Sequence, residues 1–266
     1  MRLIGFTIVV AGMTAIATLA SAEPLRVLSL DQCADQYVLA LVPDATLALS
    51  PRADDPDSWM RDAARGHRQV RPTLEAAIGF KADVTVRSWG GDQRLLDHLE
   101  RRSGRVVSLS DASDFRAIRQ NIRSVARELA VPDRGEALIA QMDRRLSVAR
   151  PKSGSRGKAL YLTAGGFTAG AGTLMDAMLR AGGFTNAAGR PGFGPVSVER
   201  IALIPPARFV FGFFDQVRAD WRGPGRHPVV RKAAGGRTVT RLPASVLTCP
   251  AWFAADGVAM IARGQP

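Results

Sequence analysis

The 266-residue chain has little of what most enzyme centres are built from. Its three histidines, His67, His98 and His227, lie far apart without H-x-x-x-H or H-E-x-x-H spacing, so no metal site is read from them. His98, within Asp97-His98-Leu99-Glu100, reads as a solvated helix residue. There is no G-x-S-x-G elbow, and no serine, histidine and acid stand out as a triad. The glycine-rich run 165–173 has no P-loop lysine, and Met175 stands where the third glycine of G-x-G-x-x-G would fall. No catalytic residue is assigned on these grounds. Cysteine is limited to Cys33 and Cys249, which leaves one disulfide, two buried thiols or ligand contacts all open. Aromatic residues make up only 6% of the chain.

Long apolar runs are also missing, except at the start. Arg2 precedes an apolar stretch from Leu3 to Leu19, and Ala20-Ser21-Ala22 is an A-x-A cleavage site before Glu23. Residues 1–22 therefore read as a cleaved signal peptide, and the mature protein as exported and soluble. No later segment is long and apolar enough to span a bilayer.

The net charge is +12, from 36 basic and 24 acidic residues. The arginines are scattered, with Arg116, Arg119, Arg123 and Arg127 on one segment and Arg218, Arg222 and Arg226 on another. A nucleic-acid protein would concentrate them, so no nucleic-acid partner is read. A basic exported protein favours an anionic ligand or anionic lipid headgroups.

Two segments 124 positions apart (199 minus 75) share one pattern. Thr73-Leu74-Glu75 begins a short helix that leads to the strand Val84-Thr85-Val86 and the turn Ser88-Trp89-Gly90-Gly91. Ser197-Val198-Glu199 begins another, leading to Phe209-Val210-Phe211 and a Gly-Phe-Phe-Asp turn at 212–215. Each has a hydroxyl N-cap, a first-turn acid, a helix, a buried strand and an aromatic loop. A single pair at this separation suits two similar lobes rather than a solenoid.

Between these markers strands alternate with helices, the pattern of a parallel sheet covered on both faces. Strands are expected at 26–30, 46–49, 84–86, 105–109, 158–163, 209–213 and 238–242. From Asp114 to Arg150 only helix is expected. Phe115, Ile118, Ile122, Val125 and Leu129 form one stripe, Pro132 interrupts it, and a second helix carries Leu138, Met142 and Leu146. The expected fold is α/β, with two lobes built on mostly parallel sheets, one long bridging helix and a ligand cleft between the lobes. The boundaries are 23–131 for the N-terminal lobe, 132–150 for the bridge and 151–266 for the C-terminal lobe, with a flexible join at 152–157. A helical bridge limits hinge closure.

Several aromatics fall in strand-end loops: Trp89, Phe167, Phe193, Phe214 and Trp252. Such loops line ligand crevices in α/β sheets, and as a set these rings point to a flat or greasy ligand. The glycine loop 165–173 reads either as a tight turn or as a ligand contact through exposed N–H groups. Asp31 and Asp35 flank a helix start, where capping is the ordinary role.

Ser29-Leu30-Asp31-Gln32-Cys33-Ala34-Asp35, Leu74-Glu75…Ala82-Asp83-Val84, Trp89-Gly90-Gly91, Gly170-x-Gly172-Thr173…Ala181-Gly182-Gly183-Phe184-Thr185-Asn186 and Val198-Glu199 occur in this order. Together with the long bridging helix they resemble the periplasmic substrate-binding proteins of ABC importers for ferric siderophores, haem and cobalamin, over about Leu25 to Ala262. The resemblance implies a monomeric receptor that does no bond chemistry and needs no cofactor. It would carry a small metal–organic complex to a permease dimer in the inner membrane. Glu75 and Glu199 would dock on arginines of that dimer. The implied ligand contacts are Asp31, Gln32, Ser50, Arg52, Trp89, Gly90, Gly166, Phe167, Phe193, Phe214, Asp215 and Trp252. Where cobalamin binders have an acid before the tryptophan this chain has Ala251, and neither Tyr37 nor Tyr161 stands where a haem ligand is expected. A ferric chelate and a corrinoid both stay open. Two other classes remain, an exported interaction protein without a small ligand and an exported hydrolase using Asp31 or Asp215.

Overall fold

The computed structural model describes residues 23–101, 105–151, 154–216 and 222–264. The expected signal peptide and the Lys152-Ser153 part of the expected join lie outside them. Among the described residues no helix is long and apolar enough to cross a membrane.

The N-terminal half runs β1 (Arg26–Ser29), α1 (Gln32–Leu41), β2 (Thr46–Leu49), α2 (Arg61–Ala64), β3 (Arg68–Gln69), α3 (Leu74–Phe80), β4 (Val84–Arg87), α4 (Gln93–Arg101) and β5 (Arg105–Ser108). Its five strands form one parallel sheet in the order β3-β2-β1-β4-β5, with Val27 opposite Leu47 on one side and Val84 on the other. Both faces are covered, which is why the central strands are apolar without alternation. Leu28 and Leu30 pack with Phe80, Leu95 and Leu99 of α3 and α4. Val27, Leu47, Val84 and Val86 face α1.

Two helices follow, α5 (Phe115–Glu128) and α6 (Pro132–Ala149). The Asp114 carboxylate caps α5 by accepting from the Ala117 N–H at 2.7 Å, and Ile118, Ile122 and Val125 form its buried stripe. Ala130 takes a left-handed conformation, φ 58°, and Pro132 starts α6 where a missing N–H costs nothing. Arg119 pairs with Asp143 and Arg123 with Glu136 across the helix pair.

The C-terminal half contains β6 (Lys158–Thr163), β7 (Phe167–Ala169), α7 (Leu174–Ala181), β8 (Thr185–Asn186), β9 (Phe193–Pro195), α8 (Val198–Leu203), β10 (Arg208–Gly212), α9 (Pro228–Ala234), β11 (Thr238–Leu242), α10 (Ala244–Leu247) and α11 (Ala254–Arg263). A parallel sheet β11-β10-β6-β8 is joined by an antiparallel ribbon, β7 with β9. Leu160, Leu162, Phe209 and Phe211 pack toward α8 and α9, and Tyr161 and Val210 toward the opposite face. The α/β architecture with two parallel sheets is as expected. The elements missing from the sequence reading, such as β3, β7, β8, β9 and α2, are two to four residues long, too short for a period to register.

One hydrophobic core runs from α1 and α5 through Met142 of α6 to Val258 and Ile261 of α11. The two halves are also tied directly. Cys33 and Cys249 form a disulfide, the Tyr37 hydroxyl donates to the Pro250 carbonyl at 3.1 Å, and Trp59 stacks on Phe253 at 5.2 Å. Arg145 of α6 pairs with Asp256 of α11 at 2.8 Å. Such ties resist hinge opening at the junction.

Candidate functional site

On the N-terminal side Asp31 stands two residues beyond the end of β1, at the start of α1. One carboxylate oxygen accepts from the N–H groups of Cys33 and Ala34 at 3.1 and 3.0 Å and caps α1. The other accepts from Ser88, Trp89 and Gly90 at 2.6, 3.0 and 2.9 Å. Five main-chain donors thus converge on one side chain. The Arg87 guanidinium holds the Gly90 carbonyl at 2.7 Å, and Gly90 lies so close to β1 that a Cβ would sit 2.2 Å from the Leu30 carbonyl oxygen. The turn is therefore clamped while the Trp89 ring stays 60% exposed.

Gln32, Ser50 and Arg52 are likewise used internally. The Gln32 amide donates to Asp57, the Ser50 hydroxyl donates to Asp35 at 2.6 Å, and Arg52 is shared between Asp55 and Asp57. Asp35 is fully buried, and burial pushes its carboxyl up to about 6, partly offset by the Ser50 hydrogen bond. Of the N-terminal contacts expected from sequence, Trp89 alone offers a large exposed surface. Asp31, Gln32 and Ser50 are buried with partners inside the protein, while Arg52, paired through Nε and one terminal nitrogen, keeps 37% of its side chain exposed.

The C-terminal side contributes a cavity of about 430 Å³. Asp111, Ala112 and Ser113, which follow β5, form one wall; Met175, Phe193, Phe213, Leu247 and Pro250 come from the other half. The carboxyl ends of both sheets therefore meet at one space, the usual location of a site in α/β sheets. Phe193 stands 71% exposed at it, and Phe167, across the β7–β9 ribbon, is 51% exposed. Gly166, φ 80°, makes the turn into β7 and is itself buried.

Three expected contacts fall elsewhere. Trp252 is buried, edge-on to Tyr37 at 5.6 Å and against Phe253, so it joins the core between the halves instead of facing a ligand. Phe214 packs on Phe211 at 5.1 Å and under Arg226 and Arg241, beside a separate cavity at α9. Asp215 accepts from the Ala244 N–H at 2.9 Å and so anchors the start of α10. Sequence reasoning missed Asp111–Ser113, Met175, Met178, Phe213 and Leu247. Phe213 had a signal in the Gly-Phe-Phe-Asp turn, whereas nothing in the spacing singled out the methionines. No cluster of three metal-ligating side chains occurs among the described residues.

The periplasmic binding protein family matches residues 29–211. The chain belongs to that family. Comparison with curated proteins gives no match. Solved structures share the fold of this periplasmic binding protein. A periplasmic heme binding protein from Pseudomonas aeruginosa is 23% identical over 90% of this chain and 91% of its own, with a TM-score of 0.63. The periplasmic heme-binding protein BhuT, in complex with two hemes, is 22% identical over 90% and 97%, TM-score 0.67. The periplasmic vitamin B12 binding protein BtuF of Vibrio cholerae is 19% identical over 91% and 96%, TM-score 0.63.

The duplicated acids of this binding protein occupy matching structural positions. Thr73 caps α3 one residue before its start and Ser197 caps α8, their hydroxyls accepting from Ala76 and Arg200. Glu75 and Glu199 are both exposed in the first turns. The Ser197 hydroxyl donates to Glu199 at 2.6 Å and holds its carboxyl below the usual range. Exposed apolar residues lie close by in sequence, Ile78 on α3 and Leu203 and Ile204 at the end of α8.

Proposed function

We propose that this protein is a periplasmic receptor that captures a small metal–organic complex, a ferric siderophore or a corrinoid, and passes it to the permease of an ABC importer. The observation that carries the reading is the cavity walled by both halves of the chain, with Phe193 exposed beside it. Trp89 and Phe167 add exposed rings at other strand ends, the kind of surface that stacks on a flat ligand. Proteins of this fold include binders of heme and of vitamin B12, which fits the same class of cargo. Glu75 and Glu199 are the proposed contacts with the permease dimer. As plain helix N-terminal acids they would be worth only about 0.3–1 kcal/mol each, yet each sits in the same place in its own half. The receptor acts as a monomer, and residues 1–22 direct its export.

Tryptophan fluorescence of residues 23–266 is titrated with cobalamin, cobinamide, haemin and several ferric siderophores, with inner-filter correction. Saturable quenching by one ligand, weakened in Trp89→Ala, is the expected result; no response to any of them removes the receptor reading. Glu75→Arg with Glu199→Arg is expected to abolish uptake and leave binding intact. Loss of function in that double variant together with an unaffected Trp89→Ala would favour an interaction protein without a small ligand.

A further inference from the structure

The cavity between the halves has a chemistry of its own. Its buried surface is mainly apolar, built from Met175, Met178, Val246 and the Tyr161 ring, with Thr173, whose hydroxyl is already bonded to Gly170 and Asp176. The phenol reaches it because residue 212 is glycine: a Cβ there would lie 2.6 Å from the Tyr161 oxygen and 2.5 Å from a Leu247 methyl. The next residue, Phe213, lines the cavity from a left-handed backbone, φ 59°, a conformation a bulky side chain holds only when its surroundings impose it.

Tyr161 is 4% exposed, and its hydroxyl has no hydrogen-bond partner among the described residues. The phenol oxygen is not sealed from solvent; it opens on the cavity, where a ligand acceptor can meet it. Burial also holds the phenol well above its ordinary pKa, so it stays a neutral O–H donor. The charged side chain lining the cavity is the carboxylate of Asp111, which is exposed, and no cation lines it among the described residues. An anionic group would meet no cation there, and only the main-chain start of α7 to offset its desolvation. Cavities that enclose drug-sized ligands run from about 300 to 1,000 Å³, so about 430 Å³ admits part of a chelate and not a whole corrinoid with its side arms.

We propose that this cavity is the apolar compartment of the ligand site, receiving a neutral aryl or alkyl arm that carries one hydrogen-bond acceptor, with Tyr161 as the donor. The inference rests on the receptor reading and narrows it. A ferric chelate with an apolar arm fits, whereas the amide fringe of a corrinoid would leave N–H groups unmet against Met175, Met178 and Val246.

The neutral fluorophore N-phenyl-1-naphthylamine probes the compartment directly, and whichever complex quenches tryptophan fluorescence is then tested as its competitor. Saturable fluorophore binding is expected in the parent protein, with loss of at least tenfold in Leu247→Trp, which fills the space. Phe193→Ala, an exposed position, is the second variant should Leu247→Trp not fold, and is expected to weaken the fluorophore severalfold. Tyr161→Phe should leave thermal unfolding unchanged and weaken the competing complex about two- to tenfold, the value of one hydrogen bond. Failure of the parent protein to bind the fluorophore overturns the inference. So does a metal complex that binds equally well to Leu247→Trp, Phe193→Ala and Tyr161→Phe, an outcome that leaves the receptor reading intact. Fluorophore binding without any response to the metal complexes supports the apolar site and overturns the receptor reading instead.

Discussion

Replacing Asp31 with asparagine separates its two duties. The aspartate accepts two N–H groups at the start of α1 through one oxygen and three from the Trp89 turn through the other. Asparagine keeps one oxygen and turns the other into a donor. One set of main-chain donors must therefore face an N–H₂ group, whichever way the amide is rotated. Hydrogen bonds to a charged acceptor are worth about 1.5–3 kcal/mol net, and three that share one oxygen do not add fully. The lost cap alone costs about 1 kcal/mol. Asp31→Asn should destabilise by about 2–3 kcal/mol and Asp31→Ala, which loses both sets, by about 4 kcal/mol. Urea unfolding gives the stability, and amide exchange at Ser88–Gly90 against Cys33–Ala34 shows which donors were abandoned. An Asp31→Asn protein within about 0.5 kcal/mol of the parent, the scatter of an unremarkable surface change, with both sets still protected, would refute the reasoning.

The remaining predictions concern the buried acid and the disulfide. Asp35 has a folded pKa of about 6 against an ordinary 3.8, so the folded state holds its proton more tightly. Its contribution to stability is fully present below pH 3.8 and is lost as pH rises through 6, a change of up to about 3 kcal/mol. Asp35→Asn should flatten the stability profile across that window; a profile of unchanged slope removes the assignment. Cys33 and Cys249 are separated by 216 residues, and closing so long a loop gives about 5 kcal/mol by chain entropy, with measured values usually about 2–4 kcal/mol. Cys33→Ser with Cys249→Ser, or reduction, should lower unfolding free energy by an amount in that range. A loss below about 1 kcal/mol would show that Tyr37, Trp252 and Phe253 already hold the ends together in the unbonded chain.

Legibility varied with the range of the interaction. Caps, strands and helices depend on neighbours within a few residues, so Thr73 and Ser197 were readable as helix caps, and both side chains accept the expected N–H. A strand-end aromatic was harder, because its loop looks the same whether the ring meets water or another ring. Trp89 and Phe193 are exposed, but Trp252 finds Tyr37, and Phe214 finds Phe211 and two arginines. In the sequence Tyr161 reads only as standing where no haem ligand is expected, and the glycine notch on neighbouring β10 is what lets its hydroxyl reach a cavity.

By itself the sequence determined the alternation of strands and helices, the repeated acid-bearing unit and the long helical segment, since these follow from local periodicity and capping. Tertiary structure alone decided that Cys33 bonds Cys249, that Asp31 serves the Trp89 turn rather than a ligand, and which aromatic rings stay in solvent. Each of those depends on a partner tens to hundreds of residues away, and distance along the chain carries no record of which surfaces meet.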